Sequence, residues 1–272
     1  MKYLRRALGA LLIAPILLCL GHAHATSFST DQSDIWNEIG APWWAASLVQ
    51  RGSAIVAVIY VYNQSGAPVW YSATLEWAGF NDTKWSGYLY ETQGPFFGTT
   101  PFDSSHVSLR KVGGMLWTPS PADQTKTTGT LVYDVDGVLV TKHLQRYLAR
   151  YDDFSGNYQG GMHLVSICTN PSSPPVNEFP ASFNVTQNGI AISVQETDSS
   201  GSCLYSGQLS QAGQMGSVQG SFLCGDGRAG TFLLSELTVN IFGISGAIFE
   251  NFSNPAGCTA GGWLGGARKR AF

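Results

Sequence analysis

The chain has 272 residues and a formal net charge of −3, and only 12% of its residues are charged. An acidic balance of this kind argues against a nucleic-acid partner, which requires a basic face. Hydrophobic residues make up 44% and glycine is abundant, which excludes a disordered chain and fits an exported all-β protein.

Lys2, Arg5 and Arg6 give the chain a positive start, Ala7 to Gly21 form an apolar run, and Ala23-His24-Ala25 is an A-x-A cleavage site. The pattern predicts a secretory signal peptide over residues 1–25. Its apolar run is too short for a membrane span. Cys19 raises a lipoprotein alternative, but the bulky Leu17 and Leu18 before it do not suit such a site. Cleavage after Ala25 leaves twelve basic residues against eighteen acidic ones, a net charge of −6. No later segment is apolar for long enough to cross a membrane as a helix, so the mature chain is expected to be secreted or periplasmic. An outer-membrane barrel is disfavoured by Arg268 and Arg270 near the end of the last strand; Arg268-Lys269-Arg270 reads as a frayed basic tail.

Strand signals then recur to the end of the chain. The first half reads as eight strands at 44–50, 54–62, 67–77, 84–92, 105–112, 114–119, 127–135 and 138–147. Asp136-Gly137, between two alternating runs, is a two-residue hairpin turn with both positions at positive φ. The second half reads as strands at 157–168, 180–186, 190–197, 202–210, 214–224, 229–238, 241–250 and 258–267, with Asn188-Gly189 a turn of the same kind. Eight short antiparallel strands with tight turns predict an up-and-down barrel in each half, because closure removes the exposed edges; a sandwich is the alternative. The expected organisation is a first barrel over 34–150 and a second over 156–268, with a seam near Tyr151 to Gly156.

Four cysteines follow the cleavage site, Cys168, Cys203, Cys224 and Cys258. An even count in an exported chain reads as disulfides. If the second barrel is a meander, all four lie at one end. Cys203 and Cys224 then sit on hairpin neighbours, and Cys168 and Cys258 on the first and last strands, which closure brings together. The expected bridges are Cys168–Cys258 and Cys203–Cys224. No C-x-x-C pair occurs and His106, His143 and His163 are scattered, so neither a metal nor a cofactor is expected.

Four stretches, PWWAASLVQRG, SGAPVWYSATL, SGYLYETQGPFFG and VDGVLVTKHLQR, carry a resemblance. In order and spacing, residues 34 to 150 resemble a tryptophan-rich β-module of exported bacterial proteins of unknown function. The chain departs from that pattern where glycines would flank a tryptophan: Trp43 and Ala45 flank Trp44. The resemblance implies a β-rich exported module and brings no activity with it. SGQLSQAGQMGSVQGSFLCGDGRAGTF and GGWLGGAR in the second half are similar to small calycin-type barrels such as avidin-like domains, without a biotin-binding pattern.

No nucleophile elbow, P-loop or HExxH motif is present, and no catalytic residue is assigned. Asp152-Asp153 and Glu196-Thr197-Asp198 read as solvated carboxylates at turns. Glu76, Glu91 and Asp103 are the acids to examine for a glycosidase pair. The aromatics carry more information, since seven of the eight tryptophans precede residue 118. Tyr71, Trp77, Tyr88 and Tyr90 read as core. On the alternating run 67–77, Trp70 shares a polar face with Ser72, Thr74 and Glu76. Adjacent Trp43 and Trp44 must point to opposite faces. Trp70 and one of that pair either pack against the second barrel or form an exposed platform, so Trp43, Trp44 and Trp70 are the candidate ligand-binding residues. The expected function is non-enzymatic recognition of a glycan, small molecule or protein by exposed aromatics or barrel-end loops. A lipocalin-like carrier and a glycan-active enzyme are the alternatives.

Overall fold

The computed structural model describes residues 30–79, 83–123, 125–169 and 176–269, so the expected signal peptide lies outside the described residues. The chain is all-β and forms two closed eight-stranded antiparallel meander barrels. The first comprises β1 (Asp34–Glu38), β2 (Ala41–Arg51), β3 (Ala54–Tyr62), β4 (Pro68–Trp77), β5 (Trp85–Gln93), β6 (Ser108–Pro119), β7 (Thr128–Val135) and β8 (Val138–Arg146). The second comprises β9 (Gly156–Cys168), β10 (Val176–Asn188), β11 (Ala191–Thr197), β12 (Ser202–Ala212), β13 (Met215–Cys224), β14 (Ala229–Val239), β15 (Gly243–Asn254) and β16 (Ala256–Arg268). Alternation selects the inward side chains: Tyr71, Ala73 and Leu75 of β4 are buried, while Trp70, Thr74 and Glu76 face out.

The second barrel has the eight strands expected of it. The first reaches eight differently. The segments expected at 105–112 and 114–119 are one strand, β6, which runs through Gly113-Gly114. There the Gly114 N–H donates to Asp134 Oδ1 at 2.8 Å, and a side chain on Gly113 would collide with Asp134 of β7. These glycines allow close approach of two strands rather than a turn. The remaining strand is β1, which pairs with β2 on one side and β8 on the other and so closes the ring.

Asp136 and Gly137 take φ of 50° and 85°, the expected hairpin geometry. Asn188-Gly189 differs. Asn188 pairs with Ala191 as the last residue of β10, and the two-residue loop is Gly189-Ile190. Only Gly189 has positive φ (61°), so glycine occupies the first loop position.

Both expected disulfides form. Cys203 and Cys224 face each other on β12 and β13, and Cys168 and Cys258 on β9 and β16. They lie at the same end of the second barrel, and Cys168–Cys258 staples its first strand to its last. Two disulfides indicate an oxidising, extracytoplasmic environment.

Each barrel closes around an arginine on its final strand. Arg146 lies opposite Trp36 and its guanidinium sits 4.6 Å from that ring. It pairs with Asp34 at 3.0 Å and donates to the carbonyls of Ser33, Lys126 and Asp31. Arg268 lies opposite Tyr158 and donates to Ser155 O and to the Tyr158 hydroxyl. Arg268 is therefore part of the barrel seam, not of a frayed tail. The connecting segment also belongs to the second barrel's packing: Phe154 is fully buried in its core, although it precedes β9.

These two seams face each other. Asp34 Oδ2 accepts from the Gln214 backbone N–H at 3.0 Å as well as from Arg146, and Gln214 Nε2 donates to Ser33 O. Glu236 of β14 meets Thr30 there, and burial raises its pKa. The barrels thus join through the ends that hold their arginines. The opposite, free ends are the connections after β1, β3, β5 and β7 in the first barrel and the disulfide end in the second.

Candidate ligand-binding groove

Trp43 is 83% exposed and Trp70 is 47% exposed. The two tryptophans therefore do not pack under the second barrel, whose contacts lie at the other end of the first. Trp70 stands opposite Tyr60 on the outer face of β3 and β4, and Tyr60 is also exposed. Trp44 points inward, because Ala46 and Leu48 set the buried face of β2. It stacks on Tyr133 with ring centroids 6.3 Å apart and has the Lys142 ammonium 5.8 Å from its ring centre. Trp44 packs against the barrel core, so it does not belong with Trp43 and Trp70 on an outer platform.

The face that Trp70 shares with Ser72, Thr74 and Glu76 borders a groove of about 1050 Å³ in the outer wall of the barrel. Ser72, Thr74 and Glu76 of β4 form one side. Ser86, Tyr88 and Tyr90 of β5 continue it, and Asp134 of β7 adds a second carboxylate. Two local features shape the groove. Gly87 sits where a side chain would strike the Thr74 carbonyl, so β4 and β5 approach closely there. Gly114, opposite Tyr88, leaves the wall without a side chain beside the ring.

Tyr88 and Tyr90 correct the expectation that they are core. Leu89 is fully buried, so its two neighbours must point out. Tyr88 is exposed and carries the Lys111 ammonium 3.2 Å from its ring centre. The Y-L-Y order was a usable signal, since only one parity of that triplet can enter the core. Tyr71 and Trp77 do pack in or against the core.

The acids separate by role. Glu91 is held by Arg110, with Nη2 to Oε2 at 2.7 Å, and Arg110 also grips Asp136 at 2.6 Å. Those bonds hold the Arg110 pKa up and the Asp136 pKa down. Asp103 accepts from the Ser105 hydroxyl and from its N–H at 2.9 Å, which together lower its pKa, and the N–H bond caps a single 3₁₀ turn at Ser104–His106. Only Glu76 of the three examined acids faces the groove. His106, His143 and His163 stand on separate surfaces, beside Asp103, Thr130 and Glu178 respectively.

A second concavity, of about 580 Å³, lies at the disulfide end of the second barrel. Asp198 caps its turn as expected, accepting from Ser200 and Gly201 N–H groups. Glu196 does not behave as a solvated turn residue: it is only 4% exposed and points into the barrel. Parity was the available signal here, because Val194 and Ile192 precede it on the inward face.

No protein-family model matches the chain, and no curated protein is similar to it. The two eight-stranded antiparallel barrels agree with calycin-type barrels at the level of architecture alone.

Proposed function

We propose that the chain is an exported binding protein, secreted or periplasmic, that holds a saccharide chain in the wall groove of its first barrel without transforming it. The groove carries this reading. It sets aromatic rings (Tyr88 and Tyr90, with Trp70 farther along the same face of β4) beside hydroxyls and carboxylates (Ser72, Thr74, Ser86, Glu76, Asp134). A sugar ring offers the matching alternation of an apolar C–H face and hydroxyl edges. Carriage of an apolar ligand inside the second barrel has less support, because its lower half is packed. The void among Phe183, Ile192, Leu234 and Leu237 has a volume of about 10 Å³, room for one water.

The test is equilibrium binding of soluble oligosaccharides, followed by tryptophan fluorescence, to wild type and to the Trp70→Ala and Tyr88→Ala variants. Each variant should weaken binding roughly tenfold, equivalent to about 1.4 kcal/mol. Both side chains are largely exposed, so the midpoint of unfolding should stay within about 0.5 kcal/mol of wild type. Unchanged affinity in both variants would show that the saccharide binds elsewhere. New reducing ends appearing during the titration would favour the hydrolase alternative, with Glu76 and Asp134 as its carboxylates.

A further inference from the structure

We infer that the free mouth of the second barrel is a separate binding site for a small organic cation, an amine or a guanidinium, with Glu196 as its anchoring carboxylate. The site is built from residues of six strands, β9 to β12, β15 and β16, above a packed barrel floor. Glu196 of β11 and Glu250 of β15 are 4% and 2% exposed, yet both line the concavity. The Tyr205 hydroxyl of β12 donates to Glu250 Oε1 at 2.6 Å. Glu196 Oε1 has no hydrogen-bond partner although it is buried. A buried carboxylate oxygen without a donor is costly to the fold, and an incoming N–H donor removes that cost.

The surrounding charges select the sign of the ligand. Asp198 and Glu250 join Glu196 around the mouth, and Arg228 is the cation among them. Arg228 pairs with Asp226, with Nε to Oδ2 at 2.7 Å, and its charge also opposes those of Glu196, Glu250 and Asp198. Three carboxylates against one guanidinium leave the ionised mouth acidic. The concavity is many times the volume of a metal ion, and no group of three or more metal-ligating side chains exists among the described residues. Phe179, Phe252 and Met162 supply apolar walls, so an organic ammonium fits the chemistry. Both disulfides close this end of the barrel, which keeps the carboxylates in place without a ligand.

Ionisation of Glu196 supports the site. Burial, and then the nearby Asp198, push its pKa up to about 7. Burial also raises Glu250, and burial with the Glu250 charge raises Tyr205. A cation binds the ionised carboxylate, so binding should strengthen as pH rises towards about 7 and level off above it. The same shift has a consequence for folding. The folded state holds the Glu196 proton more tightly than the unfolded state, so this residue costs stability as pH rises from about 4.5 through about 7. Glu196→Gln should therefore match wild type at pH 4 and be the more stable protein at pH 8.

The experiment is calorimetric titration of the full mature protein with benzylamine, 1,5-diaminopentane and, as the neutral control, benzyl alcohol, at pH 6 and pH 8. Amine binding should be at least fivefold tighter at pH 8 than at pH 6, and benzyl alcohol should not bind. Glu196→Gln should lose at least tenfold in amine affinity while its thermal midpoint at pH 8 rises. Arg228→Gln, which leaves Glu196 in place and removes the opposing cation, should bind amines more tightly than wild type. The proposal is overturned if benzyl alcohol binds as well as benzylamine, if neither amine binds at pH 8, or if Glu196→Gln binds like wild type.

Discussion

Replacing Asp34 by alanine is expected to lower the free energy of unfolding by about 3 kcal/mol. The Arg146 side chain is wholly buried, and its pKa is lowered by that burial. Asp34 is the carboxylate that contacts it, at 3.0 Å. Without Asp34 the guanidinium keeps its carbonyl acceptors but sits in a low-dielectric site with no contacting countercharge. The loss should reach further than the first barrel, because Asp34 Oδ2 also accepts from the Gln214 N–H of the second. The check is urea denaturation followed separately by the first barrel's tryptophan emission and by total β-sheet circular dichroism. The two probes should separate in Asp34→Ala, with the tryptophan-rich barrel unfolding first. Asp34→Asn, which preserves an acceptor, should lose less. A loss under about 1 kcal/mol would mean that the remaining acceptors satisfy the buried arginine.

The two disulfides should differ in their effect on the second barrel. Cys168 and Cys258 are 90 residues apart, and Cys203 and Cys224 are 21 apart. In the chain-entropy description the longer loop stabilises by about 4.6 kcal/mol and the shorter by about 3.3 kcal/mol. Replacing both cysteines of the long bridge by serine should therefore be the more damaging change, and it also unfastens the seam between β9 and β16. The measurement is chemical denaturation of the two double-serine variants under identical conditions. The reverse order would show that local packing around β12 and β13, rather than loop closure, governs stability at that end.

The second barrel was legible in the sequence because each of its strands is bounded by a turn residue and keeps one parity of inward side chains. The meander order then placed its four cysteines at one end and paired them. The first barrel was harder at two places. Gly113-Gly114 has the composition of a turn but serves strand contact, a distinction that depends on Asp134 from β7. β1 is only five residues, DIWNE, and its Trp36 gains its meaning from Arg146, more than a hundred residues later. Site residues divide the same way. The outward face of Trp70 could be read from alternation alone. That this face borders a groove depends on the approach of β4 to β5 at Gly87, which no local pattern encodes. Glu196 lay close to a turn, and the turn signal masked its inward parity.

Saccharide binding in the wall groove is tested by hydrogen–deuterium exchange of the intact mature protein with and without an oligosaccharide that it binds. Slowed exchange concentrated in residues 68–77 and 85–93, with the disulfide end of the second barrel unchanged, is the result predicted for a ligand lying in the wall groove. Slowed exchange confined to the second barrel, or none in either segment of the first at saturating ligand, would contradict it.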